Sequence, residues 1–205
     1  MATEFKIEWL TKYYQSTAPL VIFDLGAYNG NEALHFSKAL PNATIYSFEA
    51  SPRNIQNCRR NLLNHPRIHL THAAVSDLDG ELQFHDSVGP HDGSGSILKP
   101  LPVIFTDYPG MQFNPPQKVA AIRLDTFCQQ NKIPHVDFIH MDIQGAEKRT
   151  LLGLGSFRPR LIYMETCAGG LYQDAQSKIA LDQFMDSLGY TVSENLKYDT
   201  LYRRK

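Results

Sequence analysis

Four acidic residues in this chain each close an apolar run: Asp24, Glu49, Asp142 and Glu165. In a parallel sheet that places carboxylates along one rim, where ligands bind. Asp24 opens the stretch Asp24-Leu-Gly26-Ala27-Tyr-Asn29-Gly30. Gly26 permits a tight turn and close approach of a ligand to the backbone. A helix starting near Gly30 would point free N–H groups at a carboxylate or phosphate. A dinucleotide fingerprint requires glycine where Tyr28 stands, and a P-loop requires Gly-Lys-Ser/Thr, which is absent. The loop therefore suits a nucleotide-like ligand without demanding a pyrophosphate; an ordinary glycine-bearing turn is its bland alternative. Glu49 closes the next strand, where an acidic side chain accepts hydrogen bonds from both ribose hydroxyls. A solvated surface glutamate is the competing reading.

The elements that would position these groups alternate between strand and helix. Leu20–Phe23 is an apolar run of the kind buried on both faces of a parallel sheet. Ala33, Phe36 and Leu40 follow at helical spacing, and Pro41 ends that helix. A second strand runs from Ala43 to about Phe48, after which Ser51 and Pro52 open a helix with Ile55, Cys58 and Leu62 inward. Further strands are expected at Arg67–Ala74, Glu81–His85, Lys118–Leu124, Val136–Asp142 and Arg160–Glu165. Short helices are expected after Asp125 and from Ala146, and Leu181, Phe184, Met185 and Leu188 mark the last one. Tyr190–Arg204 reads as a closing antiparallel hairpin. Ile7, Leu10 and Tyr14 share a helical stripe, which predicts an N-terminal helix within residues 1–18. Residues 87–118 hold six of the twelve prolines without a clear period and read as an irregular insertion. The fold class expected is α/β: one Rossmann-like domain over 1–205, with a mostly parallel seven-stranded sheet, helices on both faces and an antiparallel C-terminal strand.

Composition narrows the partners. The 205 residues carry 20 Lys plus Arg against 21 Asp plus Glu, a balance that gives no electrostatic reason to expect nucleic acid. Cys58, Cys128 and Cys167 form no C-x-x-C pair, so the expectation is reduced thiols in a cytoplasmic setting. The N-terminus lacks a basic start followed by an apolar run, and no apolar stretch approaches the ~20 residues of a membrane span. Neither the oligomeric state nor membership of a longer polypeptide is readable from these features.

Several stretches together resemble the FkbM-type methyltransferases, which use S-adenosylmethionine (SAM). They are VIFDLGAYNGNEAL, YSFEASPRNIQNCRRNL, AAVSDLDGEL, DGSGSIL, IRLDTF, and above all VDFIHMDIQGAE followed by LLGL. The resemblance implies a class I methyltransferase fold and methylation of oxygen, often on sugars or natural-product hydroxyls. By position it implies that Asp24, Gly26, Ala27, Asn29 and Gly30 hold the methionine portion of SAM. Glu49 would take the ribose, with Ala50 and Ser51 beside it, and Ala74 would line the adenine pocket. Asp142 would sit close to the transferring methyl. The family commonly carries lysine two residues before that aspartate; this chain has His140.

Asp142 and His140 fall on one face of their strand, because side chains alternate. They are therefore candidates for base and orienter, His140 being equally readable as a satisfied core histidine. Glu165 joins them as a third catalytic candidate. Asp142 and Glu165 together would suit a divalent cation such as Mg²⁺, by analogy with catechol-type methyltransferases. The insertion supplies the candidate acceptor side: His91, Asp92, Ser94, Ser96 and Tyr108, a polar and aromatic group suited to a sugar ring. The expected activity is thus SAM-dependent O-methylation of a sugar or glycan hydroxyl. A non-sugar or lipid-linked hydroxyl and a non-catalytic SAM-binding module are the alternatives.

Overall fold

The computed structural model describes residues 5–205. In chain order its strands are β1 Val21–Leu25, β2 Thr44–Glu49, β3 Ile68–His72, β4 Ala74–Val75, β5 Gly80–Phe84, β6 Ser87–Val88, β7 Gln112–Phe113, β8 Gln117–Ile122, β9 Phe138–Met141, β10 Leu161–Glu165, β11 Tyr190–Asn195 and β12 Asp199–Arg204. The α-helices are α1 Glu8–Thr11, α2 Asn31–Ala39, α3 Asn54–Asn61, α4 Val103–Asp107, α5 Leu124–Gln130, α6 Glu147–Leu152 and α7 Lys178–Ser187.

Seven strands form one sheet in the order β11-β12-β10-β9-β1-β2-β3. Pairings among β3, β2, β1, β9 and β10 are parallel, whereas β12 runs antiparallel to both β10 and β11. This is the architecture expected from the sequence, and alternation along the strands explains its two cores. Ile22, Phe138 and Leu161 face α2 and α3 with Phe36, Ile55 and Cys58 buried on those helices. Phe23, Ile139 and Ile162 face the opposite layer, where Leu124, Leu151 and Met185 project from α5, α6 and α7. Each such fully buried side chain contributes about 1.5–3 kcal/mol of transfer free energy, so both faces are strongly held.

Three expectations are revised. The N-terminal helix is one turn, Glu8–Thr11, and Tyr14 beyond it donates its hydroxyl to the Asp137 carbonyl at 2.7 Å; the part of the expected helix at residues 1–4 lies outside the described residues. The third strand does not continue to Ala74. It stops at His72, and Ala74–Val75 instead pairs with β8, which pairs with β5 in a separate three-stranded sheet. The chain thereby leaves the main sheet at Ala73 and opens a slot beside β2. Finally, residues 87–118 are not without structure: they hold the β6–β7 ladder, a 3₁₀ turn at Gly89–His91, helix α4 and the start of β8. Among the described residues no helix is long and apolar enough to cross a membrane.

Candidate active site

The carboxyl ends of β1, β2, β9 and β10 and the 90–97 segment surround one cavity of about 280 Å³. The β1 end is built first by its backbone. Gly26 has φ +87°, and a Cβ there would lie 1.9 Å from the Asp142 carbonyl oxygen. Only glycine lets the β1 and β9 loops touch this closely. Gly26 and Ala27 N–H both donate to the Phe48 carbonyl, which draws the loop onto β2.

Glu49 lines the cavity from the end of β2 while only 5% exposed. Its carboxylate accepts the N–H groups of Tyr28 and Ser51, each at 2.7 Å. Burial pushes it up to about 7 despite those two donors. A carboxylate has about four lone-pair sites, so two remain for a ligand. Ser51 also caps α3, its Oγ accepting from Asn54 N–H at 3.1 Å. Ala50, Ala74, Val75, Phe84 and Ile97 make the adjoining walls apolar.

At the β9 end, His140 is buried and bonded through Nδ1 to Asp24 Oδ1 at 3.2 Å. Its ring stacks on Tyr163, with centroids 5.4 Å apart and planes 9° from parallel. Burial alone would lower its pKa, but the Asp24 hydrogen bond and charge raise it above the usual imidazole value. His140 is thus a packed, satisfied histidine that also reaches the cavity wall. Asp142, just beyond β9, is exposed to the cavity. Gln144 Nε2 donates to Asp142 Oδ1 at 2.7 Å and to Glu165 Oε2 at 2.9 Å. Burial first, then the charges of Asp142 and Glu147, lift the Glu165 carboxyl well above the ordinary range. The 143–147 loop is itself anchored by Glu147, which accepts Gly145 N–H at 3.1 Å and is pushed up by burial to about 7.

The insertion closes the opposite side. Asp92 accepts the Tyr28 hydroxyl and an Arg53 N–H, both at 2.8 Å. The Asp92 carbonyl accepts from Arg53 and Asn54 as well. Ser96 Oγ donates to the Gln144 carbonyl at 2.8 Å, and the Ser94 carbonyl accepts the Tyr172 hydroxyl at 2.6 Å. The His91 and Tyr108 rings meet edge to face at 5.8 Å.

Of the residues singled out in the sequence, Gly26, Glu49, Ala50, Ser51, Ala74, His140, Asp142 and Glu165 line this cavity, as do His91, Asp92, Ser94, Ser96 and Tyr108. Asp24, Ala27, Asn29 and Gly30 are not part of its lining. Asp24 is sealed between Ser47 and His140, the register partner of Asp24 across β1 and β9. Ala27 is packed in the α2-side core. Asn29 accepts from Asn31 N–H at 3.0 Å, and Gly30, at φ +85°, sets the start of α2 against Leu62. Residues that the sequence did not single out also line it: Tyr28, Asn54, Gln144, Tyr163, Tyr198 and Asp199. Gln144 lay within the Asp-Ile-Gln-Gly-Ala-Glu block and was findable there; Tyr198 lies in the hairpin turn and Asp199 opens β12, with no local signal.

The metal expectation fits poorly. Among the described residues no group of three or more His, Cys, Asp or Glu is arranged to hold an ion. The Gln144 amide also directs its hydrogens at both carboxylates proposed as ligands.

Comparison with known proteins agrees with this architecture. The chain is 34% identical over 160 residues to the 2-O-methyltransferase NoeI of Sinorhizobium fredii, covering 75% of this chain and 65% of that protein. The chain thus spans just under two thirds of that relative's length. Two solved structures share the fold at 13% identity and TM-score 0.51. One is the precorrin-6y C5,15-methyltransferase of Geobacter metallireducens, covering 92% of this chain and 82% of the other. The second is Aeropyrum pernix fibrillarin, solved with natively bound S-adenosyl-L-methionine, covering 93% and 67%. Residues 24–192 match the profile described as the methyltransferase FkbM domain. With that match spanning most of its length, the chain belongs to the FkbM methyltransferase family.

Proposed function

We propose that this chain is a SAM-dependent O-methyltransferase whose acceptor is a hydroxyl of a sugar or glycan. The observation that carries the reading is the convergence of Gly26, Glu49, Asp142 and Glu165 on one cavity at the strand ends. The residues fit the cofactor. Glu49 has lone pairs free for a ribose diol, the Ala74–Phe84–Ile97 slot takes a flat base, and Gly26 lets the β1 loop close directly against the Asp142 backbone at the cavity edge. When bound, SAM supplies a methyl group already activated on a sulfonium.

What remains for the protein is alignment and removal of one proton. Holding two partners in line is worth as much as ~7–11 kcal/mol, and a positioned base adds roughly 10²–10⁴-fold. Asp142 accepts the acceptor O–H hydrogen bond and aims its oxygen. The same proton passes to Asp142 as the methyl is transferred, and His140, with Nδ1 held by Asp24, fixes the ends of β1 and β9 beside it. Tyr108 and Tyr198, lining the same cavity as Asp142 and Glu165, bring aromatic rings next to hydrogen-bond acceptors, the combination that suits a sugar ring. The relative's name as a 2-O-methyltransferase supports oxygen as the atom methylated.

The test is a mass-spectrometric screen of glycosides with isotope-labelled SAM. A glycoside product heavier by one labelled methyl group is expected, and Asp142→Asn should lower kcat by about 100-fold while S-adenosylhomocysteine still binds. Methylation only of non-sugar or lipid-linked hydroxyls would replace the acceptor class. Failure to bind S-adenosylhomocysteine would remove the cofactor assignment.

A further inference from the structure

Between the carboxylates at the ends of β9 and β10 sits a neutral amide. A primary amide nitrogen carries two hydrogens. Gln144 directs one to Asp142 Oδ1 and the other to Glu165 Oε2, at 2.7 and 2.9 Å, so its donor capacity is used up. The residue is fixed for this task. Its backbone is left-handed at φ +54°, uncommon for a residue with a side chain. Its carbonyl takes the Ser96 hydroxyl, and the next N–H is held by the buried Glu147. Glu165 Oε1 in turn accepts the Cys167 thiol at 3.3 Å. Asp142 lines the cavity, and its Oδ2 accepts nothing from the described residues.

A divalent cation between two carboxylates would relieve their repulsion and fix their orientation. The amide fixes the orientation and offsets part of the repulsion, but it points hydrogens at the place a cation would need oxygens. Resting on the reading of this cavity as a methyl-transfer site, we propose that Gln144 is a positioning residue that takes the place of a divalent cation. It joins Asp142 to Glu165 and leaves Asp142 Oδ2 to the acceptor hydroxyl.

One substitution inverts this arrangement. Gln144→Glu exchanges two donors for two acceptors and gathers three carboxylates at one point, an oxygen ligand set for a hard cation. The experiment titrates Mn²⁺ into the full chain, with and without S-adenosylhomocysteine, by calorimetry and electron paramagnetic resonance. The wild type is expected to show no saturable site into the millimolar range, and Gln144→Glu one site at least ~30-fold tighter. Circular dichroism checks that the variant is folded. Saturable sub-millimolar Mn²⁺ binding by the wild type, lost in Asp142→Asn, would overturn the proposal. So would a folded Gln144→Glu that binds no better than wild type.

A second measurement does not depend on that variant folding. Infrared titration of the Glu165 carboxyl should move up by about one pH unit or more in Gln144→Ala, because the amide no longer separates the two acids. An unmoved titration counts against the bridge. A chain that fails to bind S-adenosylhomocysteine sinks the cofactor reading instead, while the Mn²⁺ and infrared results still decide the role of Gln144.

Discussion

Glu49 shows how one side chain can be both an anchor and a sensor. Its two backbone donors hold it against the glycine loop, and burial pushes it up to about 7. Ribose hydroxyls donate to the carboxylate, so S-adenosylhomocysteine affinity should weaken as pH falls below about 7 and the group takes a proton. Glu49→Gln replaces one acceptor oxygen by an amide that meets a backbone N–H. Hydrogen bonds to charged groups are worth roughly 1.5–3 kcal/mol, so a loss of about 10- to 100-fold is expected, together with loss of the pH slope. Calorimetry from pH 5.5 to 8.5 measures both, and an unchanged affinity and slope would remove the ribose role. Glu49, Asp142 and Glu165 were legible in the sequence because acids at the ends of apolar strands in this fold meet at one rim. The place of Asp24 was not. Strand alternation says that it points to one face but not that His140 is its neighbour on the adjacent strand, since that pairing joins residues far apart in the chain. Gln144 was passed over because an amide announces no charge and its left-handed backbone leaves no trace in the sequence pattern.

At the scale of elements, the long strands and helices were readable and the short ones were not. Helix α7 buries Leu181 and Met185 from one periodic stripe, and β1 and β10 are continuous apolar runs. The insertion hides α4 at five residues and β6 and β7 at two each, too short for any period to show. What organises it is a set of polar fasteners, above all Asp92 to Tyr28 and Arg53. Burial would raise the Asp92 pKa, but the Tyr28 hydroxyl and Arg53 hold it below the usual carboxylate value. Because the pair is about a third exposed, solvent and salt screen it, and its contribution to global stability is about 1 kcal/mol or less. Its local effect is larger, since Gly89, Gly93 and Gly95 leave the segment little stiffness of its own. Asp92→Ala should therefore leave Tm within a few degrees of wild type. It should also speed amide exchange across residues 92–96 and raise the S-adenosylhomocysteine off-rate several-fold. Unchanged exchange in that segment would show that the fasteners do not hold it.

Across the whole molecule, buried acids set a pH preference that net charge does not reveal. Glu49 and Glu147 are both pushed up to about 7, and Glu165 and His140 are raised as well. Each such group favours the folded state when protonated. That stability is fully present below the unfolded pKa, about 4.3 for glutamate and 6.5 for histidine, and is lost as pH rises through the folded value. Asp77, Asp92 and Asp125 are lowered and act in the opposite sense, withdrawing stability only as pH falls below the ordinary aspartate range. Between these limits the ligand-free protein should be most stable near pH 5 and lose a few kcal/mol by pH 8. For a chain of this size that lowers Tm by about 10 °C. S-adenosylhomocysteine should narrow the gap at pH 8, because ribose donors favour the Glu49 carboxylate that burial disfavours. Glu147→Gln should narrow it without ligand, since an amide there does not ionise. Differential scanning calorimetry across pH 4 to 8.5 measures these effects. A Tm that is flat, or that climbs toward pH 8 without ligand, would mean that the buried carboxylates are already satisfied as anions and that the cavity does not hold its acids protonated.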